Sequence, residues 1–199
     1  MNEHNEESRF DHQVIVDLIE TGAKVLDLGC GDGALLSLLI EKKKCHGTGI
    51  EIDEKEIYRC LARGLTVSHC DIDTGLADFS NKRFDYVILN ESLQQVMNPR
   101  RVILESLRVG RKVIVGIPNF CHSRARIQIF FHGRVPVTKE LPHQWYDTPN
   151  LRFLSLKDFR SFCKENRITI LKEVGIAKNK KVSLRPNLFS TMGIYLLEK

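Results

Sequence analysis

The feature that most restricts this chain is the string Val25-Leu-Asp-Leu-Gly-Cys-Gly-Asp-Gly33. A short apolar run ends in three glycines at alternate positions, and a Leu-rich helical stretch, Ala34 to Glu41, follows at once. Gly29, Gly31 and Gly33 permit a tight strand-to-helix turn and close approach of the backbone to a ligand. The helix after the turn presents unpaired N–H groups at its start. Glu51 lies 20 residues beyond Gly31, at the end of a second apolar run, Gly47 to Ile52. A carboxylate placed there can take both hydroxyls of a ribose.

Gly29 to Ala34 also satisfies the dinucleotide pattern G-x-G-x-x-G/A, so the glycines alone do not choose a cofactor. Charge does. Asp27 precedes the first glycine and Asp32 lies inside the loop. Against a pyrophosphate each would cost about 1–4 kcal/mol at ~4 Å. S-adenosylmethionine presents an ammonium and a sulfonium instead, and these cations suit carboxylates. Asp71, directly after a third run (Leu65 to Cys70), is the better candidate for an adenine amino group, and Asp73 could substitute. Both could equally cap a turn. Asn90-Glu91, after the fourth run Phe84 to Leu89, would line the same crevice.

Strands and helices alternate along most of the chain, which points to a parallel sheet with crossover helices. Phe10 to Glu20 reads as an amphipathic helix after a loose start, and residues 1–8 are expected to be disordered. Asp53 is placed to cap a helix through Ala62. Pro99, with Asn98 as cap, opens a helix that ends at Gly110, and Lys112 to Ile117 is the fifth strand. Ser155-Leu-Lys-Asp158 has capping-box spacing and opens a helix to Glu165. Ile168 to Val174 and Ser190 to Leu197 read as strands able to pair antiparallel, with a basic, turn-like segment, Ala177 to Pro186, between them.

The net charge of +5 is unevenly spread: residues 1–99 carry 10 Lys/Arg against 18 Asp/Glu, and residues 100–199 carry 20 against 7. The basic half is either a solvated face or a surface for an anionic substrate, a nucleic acid or an acidic partner. Segment 120–154 interrupts the strand–helix rhythm. It interleaves Phe120, Phe130, Phe131 and Trp145 with Arg124, Arg126 and Arg134, beyond a helix expected near Ser123 to Phe131. Aromatics and arginine dominate protein interfaces. They can also line a lid or stack on bases, but no nucleic-acid module is present, and a membrane role is not expected. Six cysteines without Cys-x-x-Cys or zinc spacing, and the lack of a run near the ~20 apolar residues of a membrane span, point to a reduced, cytoplasmic protein without a metal. The 199 residues suit one domain.

The Val25–Gly33 string, with Gly49-Ile-Glu-Ile-Asp53, Asp71 and Phe84 to Leu89, resembles the class I S-adenosylmethionine-dependent methyltransferases. The resemblance implies a Rossmann-like α/β fold with helices on both faces. Its seven-stranded sheet has order 3-2-1-4-5-7-6 with the seventh strand antiparallel. It also implies that Asp27, Gly29, Cys30, Gly31 and Gly33 hold the methionine portion of S-adenosylmethionine or S-adenosylhomocysteine. Glu51 with Ile52 takes the ribose, and Asp71 with Ile72 takes the adenine.

Outside those motifs, Asn90 to Gln95, Ile117 to Phe120, Gly133 to Lys139, Leu141 to Asn150 and Leu156 to Phe159 resemble the methionine-biosynthesis MetW family. That resemblance implies partnership with, and activation of, a homoserine O-acyltransferase (MetX). The alternative is an active small-molecule methyltransferase. Catalytic markers are missing: Asn90-Glu-Ser-Leu93 stands where Asn/Asp-Pro-Pro-aromatic would, and no Pro-Cys or Gly-x-Ser-x-Gly occurs. Glu91, His122, His143 and Tyr146 are the acid–base candidates, each better explained as a loop, packing or contact residue, and none is assigned to catalysis.

Overall fold

A computed structural model describes residues 9–138 and 143–199, so the expectation for residues 1–8 lies outside the described residues. The chain runs α1 (Phe10–Leu18), β1 (Lys24–Leu28), α2 (Ala34–Lys43), β2 (His46–Glu51), α3 (Glu54–Ala62) and β3 (Thr66–His69). It continues with β4 (Phe84–Asn90), α4 (Pro99–Val109), β5 (Gly110–Pro118), α5 (Ser123–His132) and α6 (Leu156–Glu165), and ends with β6 (Thr169–Ala177), β7 (Lys180–Val182), α7 (Pro186–Phe189) and β8 (Met192–Glu198).

The strands form one sheet of order β3-β2-β1-β4-β5-β8-β6-β7. β3, β2, β1, β4 and β5 pair in parallel, and β8 enters antiparallel between β5 and β6. The expected order therefore holds, with β8 as the antiparallel strand, but the sheet has eight strands instead of seven. The added one is β7, inside the segment read as turn-like. Lys178 and Asn179 both take positive φ, and the chain turns back in two residues to set Lys180 against Ala177. Such a two-residue connection matches the twist of the strands it joins.

Period-two alternation sorts the strand side chains to two buried faces. Leu26, Leu28, Val87, Leu89, Val113 and Val115 pack with α4 and α6, through Ile103, Leu107 and Phe159. Val25, Tyr86, Ile88, Ile114 and Ile194 pack with α1 and α2, through Ile15, Ile19 and Leu39. Capping follows the expectation in α3, where Asp53 accepts from the Lys55 amide at 2.8 Å, and in α6, where Ser155 and Asp158 form the reciprocal box. It differs at α4. Asn98 holds the N-cap position without a side-chain hydrogen bond, and Asp73 reaches across to accept the Met97 and Asn98 amides at 2.7 and 2.9 Å, just ahead of the helix.

The chain winds outward from β1 to β3 and then returns to β4 beside β1. That reversal leaves a crevice at the carboxyl ends of β1 and β4, the usual ligand position in open α/β sheets.

Candidate functional site

The turn after β1 is held by its own backbone. The Gly29 and Cys30 amides donate to Ile50 O at 2.8 and 3.1 Å, and Gly33 N donates to Cys30 O at 3.0 Å. Gly33, at φ 77°, precedes α2, and a Cβ there would lie 2.2 Å from Leu65 and 3.0 Å from Cys60. At Gly31, φ 55°, a Cβ would meet nothing within 4 Å. Gly33 is thus required by packing, whereas Gly31 leaves open space beside the backbone.

Glu51, buried at the end of β2, joins strand and turn. Its Oε2 accepts the Gly31 amide at 2.8 Å, and its Oε1 accepts the Ile52 and Asp53 amides at 2.8 and 3.0 Å. An ionised carboxylate has roughly four acceptor positions. Three are in use, so a ribose would find about one free, and engaging both hydroxyls requires releasing one amide.

Asp27 is 3% exposed, and among the described residues nothing hydrogen-bonds its carboxyl group. Burial, and then the nearby Glu51, push its pKa up to about 7. A buried carboxyl without a partner is costly, and a cation would relieve it. Cys30 lines the same cleft, but its side chain packs with Leu36, Cys60 and Leu65. Its Sγ lies 3.9 Å from that of Cys60, and burial is the first cause pushing both thiols up, away from the nucleophilic thiolate.

The cleft encloses about 170 Å³ between Asp27, Gly29, Gly31 and Asp32 on one side and Asn90 and Glu91 on the other. Arg9 and His12 approach it from the start of α1. Arg9 pairs with Glu91 and with Asp11, at 2.8 Å to the latter, and Asn90 Nδ2 donates to Asp11 Oδ2 at 2.9 Å. Among the described residues, Asn90 Oδ1 is buried without a partner. Burial opposes the charge on Arg9, but Asp11 and Glu91 outweigh it and raise its pKa. Burial is the first cause holding His12 below the usual imidazole value. Sequence reasoning missed Arg9, Asp11 and His12. One signal was there: Asp11 shares a helical stripe with Ile15 and Leu18, and it is buried.

Of the adenine candidates, Ile72 reaches the turn, 3.3 Å from a Cβ placed on Gly29. Asp71 is exposed, and its Oδ1 accepts the Asp73 amide at 2.8 Å, the turn-capping alternative. Asp73 is committed to α4. Ile52 leaves β2 with 60% of its surface exposed, an apolar platform beside Glu51. Of the acid–base candidates, only Glu91 lines the cleft. His122 is buried and caps α5, its Nδ1 accepting the Arg124 amide at 3.2 Å. His143 and Tyr146 are exposed on a loop.

Known structures share this fold. A SAM-dependent methyltransferase from Archaeoglobus fulgidus superposes with a TM-score of 0.67 at 15% identity, over 95% of this chain and 91% of that one. Phosphoethanolamine N-methyltransferase 2 of Haemonchus contortus, solved with S-adenosyl-L-methionine, superposes with a TM-score of 0.70 at 12% identity, over 95% of this chain and 52% of that one. These superpositions establish the class I methyltransferase fold. In sequence, the chain is 36% identical over 173 residues to the bifunctional methionine biosynthesis protein MetXA/MetW of Rhodopirellula baltica, covering 82% of this chain and 28% of that one. It spans less than a third of the length of the curated relatives it first matches. A family model described as methionine biosynthesis protein MetW matches residues 9–197. Fold, turn and sequence thus agree, and the chain belongs to the MetW family of methionine biosynthesis proteins.

Proposed function

We propose that the cleft between β1 and β4 binds S-adenosylmethionine or S-adenosylhomocysteine, and that the protein serves methionine biosynthesis in the cytoplasm as partner and activator of a homoserine O-acyltransferase. The observation that carries the cofactor reading is Asp27: a buried, unpartnered carboxyl group beside an open glycine turn suits a cationic amino-acid tail. Asp27, Gly29, Cys30, Gly31 and Gly33 would surround that tail, with Asn90 opposite. Glu51 and Ile52 would take the ribose side, and Asp71 and Ile72 the adenine. Arg9, the cation of the cleft wall, suits the carboxylate of the same tail. The partner reading is supported by the Rhodopirellula relative, whose name joins MetXA and MetW in one chain.

When bound, S-adenosylmethionine supplies an electrophilic methyl group. The side chains at the cleft mouth favour holding such a ligand over acting on an acceptor, since Glu91 is occupied by Arg9. Since S-adenosylmethionine is made from methionine, its binding here would let a partner enzyme sense the end product by linkage.

Calorimetry with S-adenosylmethionine and with NAD tests the pocket; binding of the first and not the second is expected. Acyltransferase activity, measured with the purified partner across an S-adenosylmethionine titration, tests the sensing role. Activation that stays flat removes that role. Methyl transfer to a small acceptor, lost on Gly31→Arg, would establish a working methyltransferase instead.

A further inference from the structure

We infer that the apolar face of α5 is the docking surface for the acyltransferase, and that the partner meets it with an apolar patch rimmed by carboxylates. The inference rests on the partner reading above and assigns it to a place. Ile127, Phe130 and Phe131 fall at helical spacing, and Phe130 and Phe131 are 82% and 72% exposed. Trp145, 72% exposed, lies beside that face, on a cavity of about 750 Å³ whose α5 wall is Gln128 and His132 and which also borders Arg134.

A helix of ten residues is marginal in water without a packed face. Yet Ala125 is the one buried residue of α5, and the large apolar side chains turn outward. Each exposed aromatic can bury roughly 150–250 Å². Phe130 and Phe131 with Ile127 supply the apolar centre of the roughly 800 Å² per partner that an ordinary specific interface buries.

Charge selects the occupant. Among the described residues no carboxylate lies within ion-pair distance of Arg124 or Arg134, and α5 itself contains no acidic residue. A second copy of this chain meeting it through the same face would set these arginines against their like. A partner with carboxylates around an apolar centre satisfies both sets of side chains, with the aromatic and arginine anchors typical of binding energy hot spots.

The test is titration calorimetry of the full chain against purified homoserine O-acyltransferase from the same organism. Phe130→Glu combined with Phe131→Glu should weaken binding at least 100-fold while circular dichroism stays unchanged. Arg124→Glu with Arg134→Glu should weaken it about tenfold and flatten its salt dependence. If the double Phe variant does not fold, Phe131→Ala and Ile127→Ala carry the same comparison, with losses of tenfold or more expected. Wild-type protein that does not bind the enzyme removes the partner reading, and this assignment with it. Wild-type binding retained within twofold by the Phe variants overturns the assignment alone. A wild-type dimer in sedimentation that the Phe variants turn into monomer makes the face a self-interface and likewise overturns it.

Discussion

The Gly31 amide donates to Glu51 Oε2 at 2.8 Å, so the end of β2 holds the turn that follows β1. With the Ile52 and Asp53 amides, Glu51 collects three backbone donors, and hydrogen bonds to a charged acceptor are worth about 1.5–3 kcal/mol each at most. Glu51→Gln keeps the shape but replaces one accepting oxygen by a donor. It should lower stability by about 1–3 kcal/mol in urea unfolding and weaken S-adenosylmethionine binding. An unchanged unfolding midpoint would show that the turn does not depend on this carboxylate.

Asp27 couples stability to pH. In the unfolded chain an aspartate releases its proton near pH 4. In the folded protein burial and Glu51 raise that point to about 7. Between those values the folded state holds the extra proton, so the contribution of Asp27 falls as pH rises and levels off above 7. Asp27→Asn removes this slope. The variant should melt above wild type at pH 8, and the two should converge toward pH 4. S-adenosylmethionine affinity should rise from pH 6 to 8 in wild type and stay flat in the variant. A melting difference independent of pH would contradict the assignment.

Gly31 and Gly33 share a left-handed backbone but not a neighbourhood. Gly31→Ala has room, so only the backbone cost applies, about 1–2 kcal/mol. Gly33→Ala adds overlap with Leu65 and Cys60, another 1–3 kcal/mol or so. Thermal melts should rank wild type above Gly31→Ala and Gly31→Ala above Gly33→Ala. Equal losses would mean that the Leu65 contact yields freely.

Tyr195, fully buried on β8, donates to Glu173 Oε1 at 3.1 Å, and Arg160 grips the same carboxylate at 2.6–3.1 Å. Tyr195→Phe deletes the donor and leaves the ion pair. A loss of roughly 1–2 kcal/mol, with an unchanged denaturant slope, is expected. No loss would place the worth of this cluster in Arg160 and Glu173 alone.

How much of this was legible beforehand follows from how local each cause is. β1, the start of α2, the capped α3 and the box opening α6 depend on residues within a few positions of one another, and their expected bounds fall within two residues of those seen. The glycine turn and Glu51 were readable because a fixed spacing links them. β7 was not, because three residues, Lys180–Val182, carry no alternation of their own and become a strand only through pairing with β6. Asn98 stands at the N-cap of α4 as expected, but the carboxylate that holds its amide was not foreseen for a similar reason: Asp73 is 25 residues away. Arg9 escaped notice because its partner Glu91 lies 82 residues away, and only the folded sheet brings α1 over the end of β4.

The short strand β7 also bears on how copies of this protein could add strand to strand. It is one of the sheet's two margins, and its first two residues, Lys180 and Lys181, are exposed. An unprotected margin would invite further strands to add on, whereas lysines there repel a neighbouring sheet and make stacking into fibrils unfavourable. A chain whose helix α5 carries uncovered phenylalanines gains from such a guard at this margin.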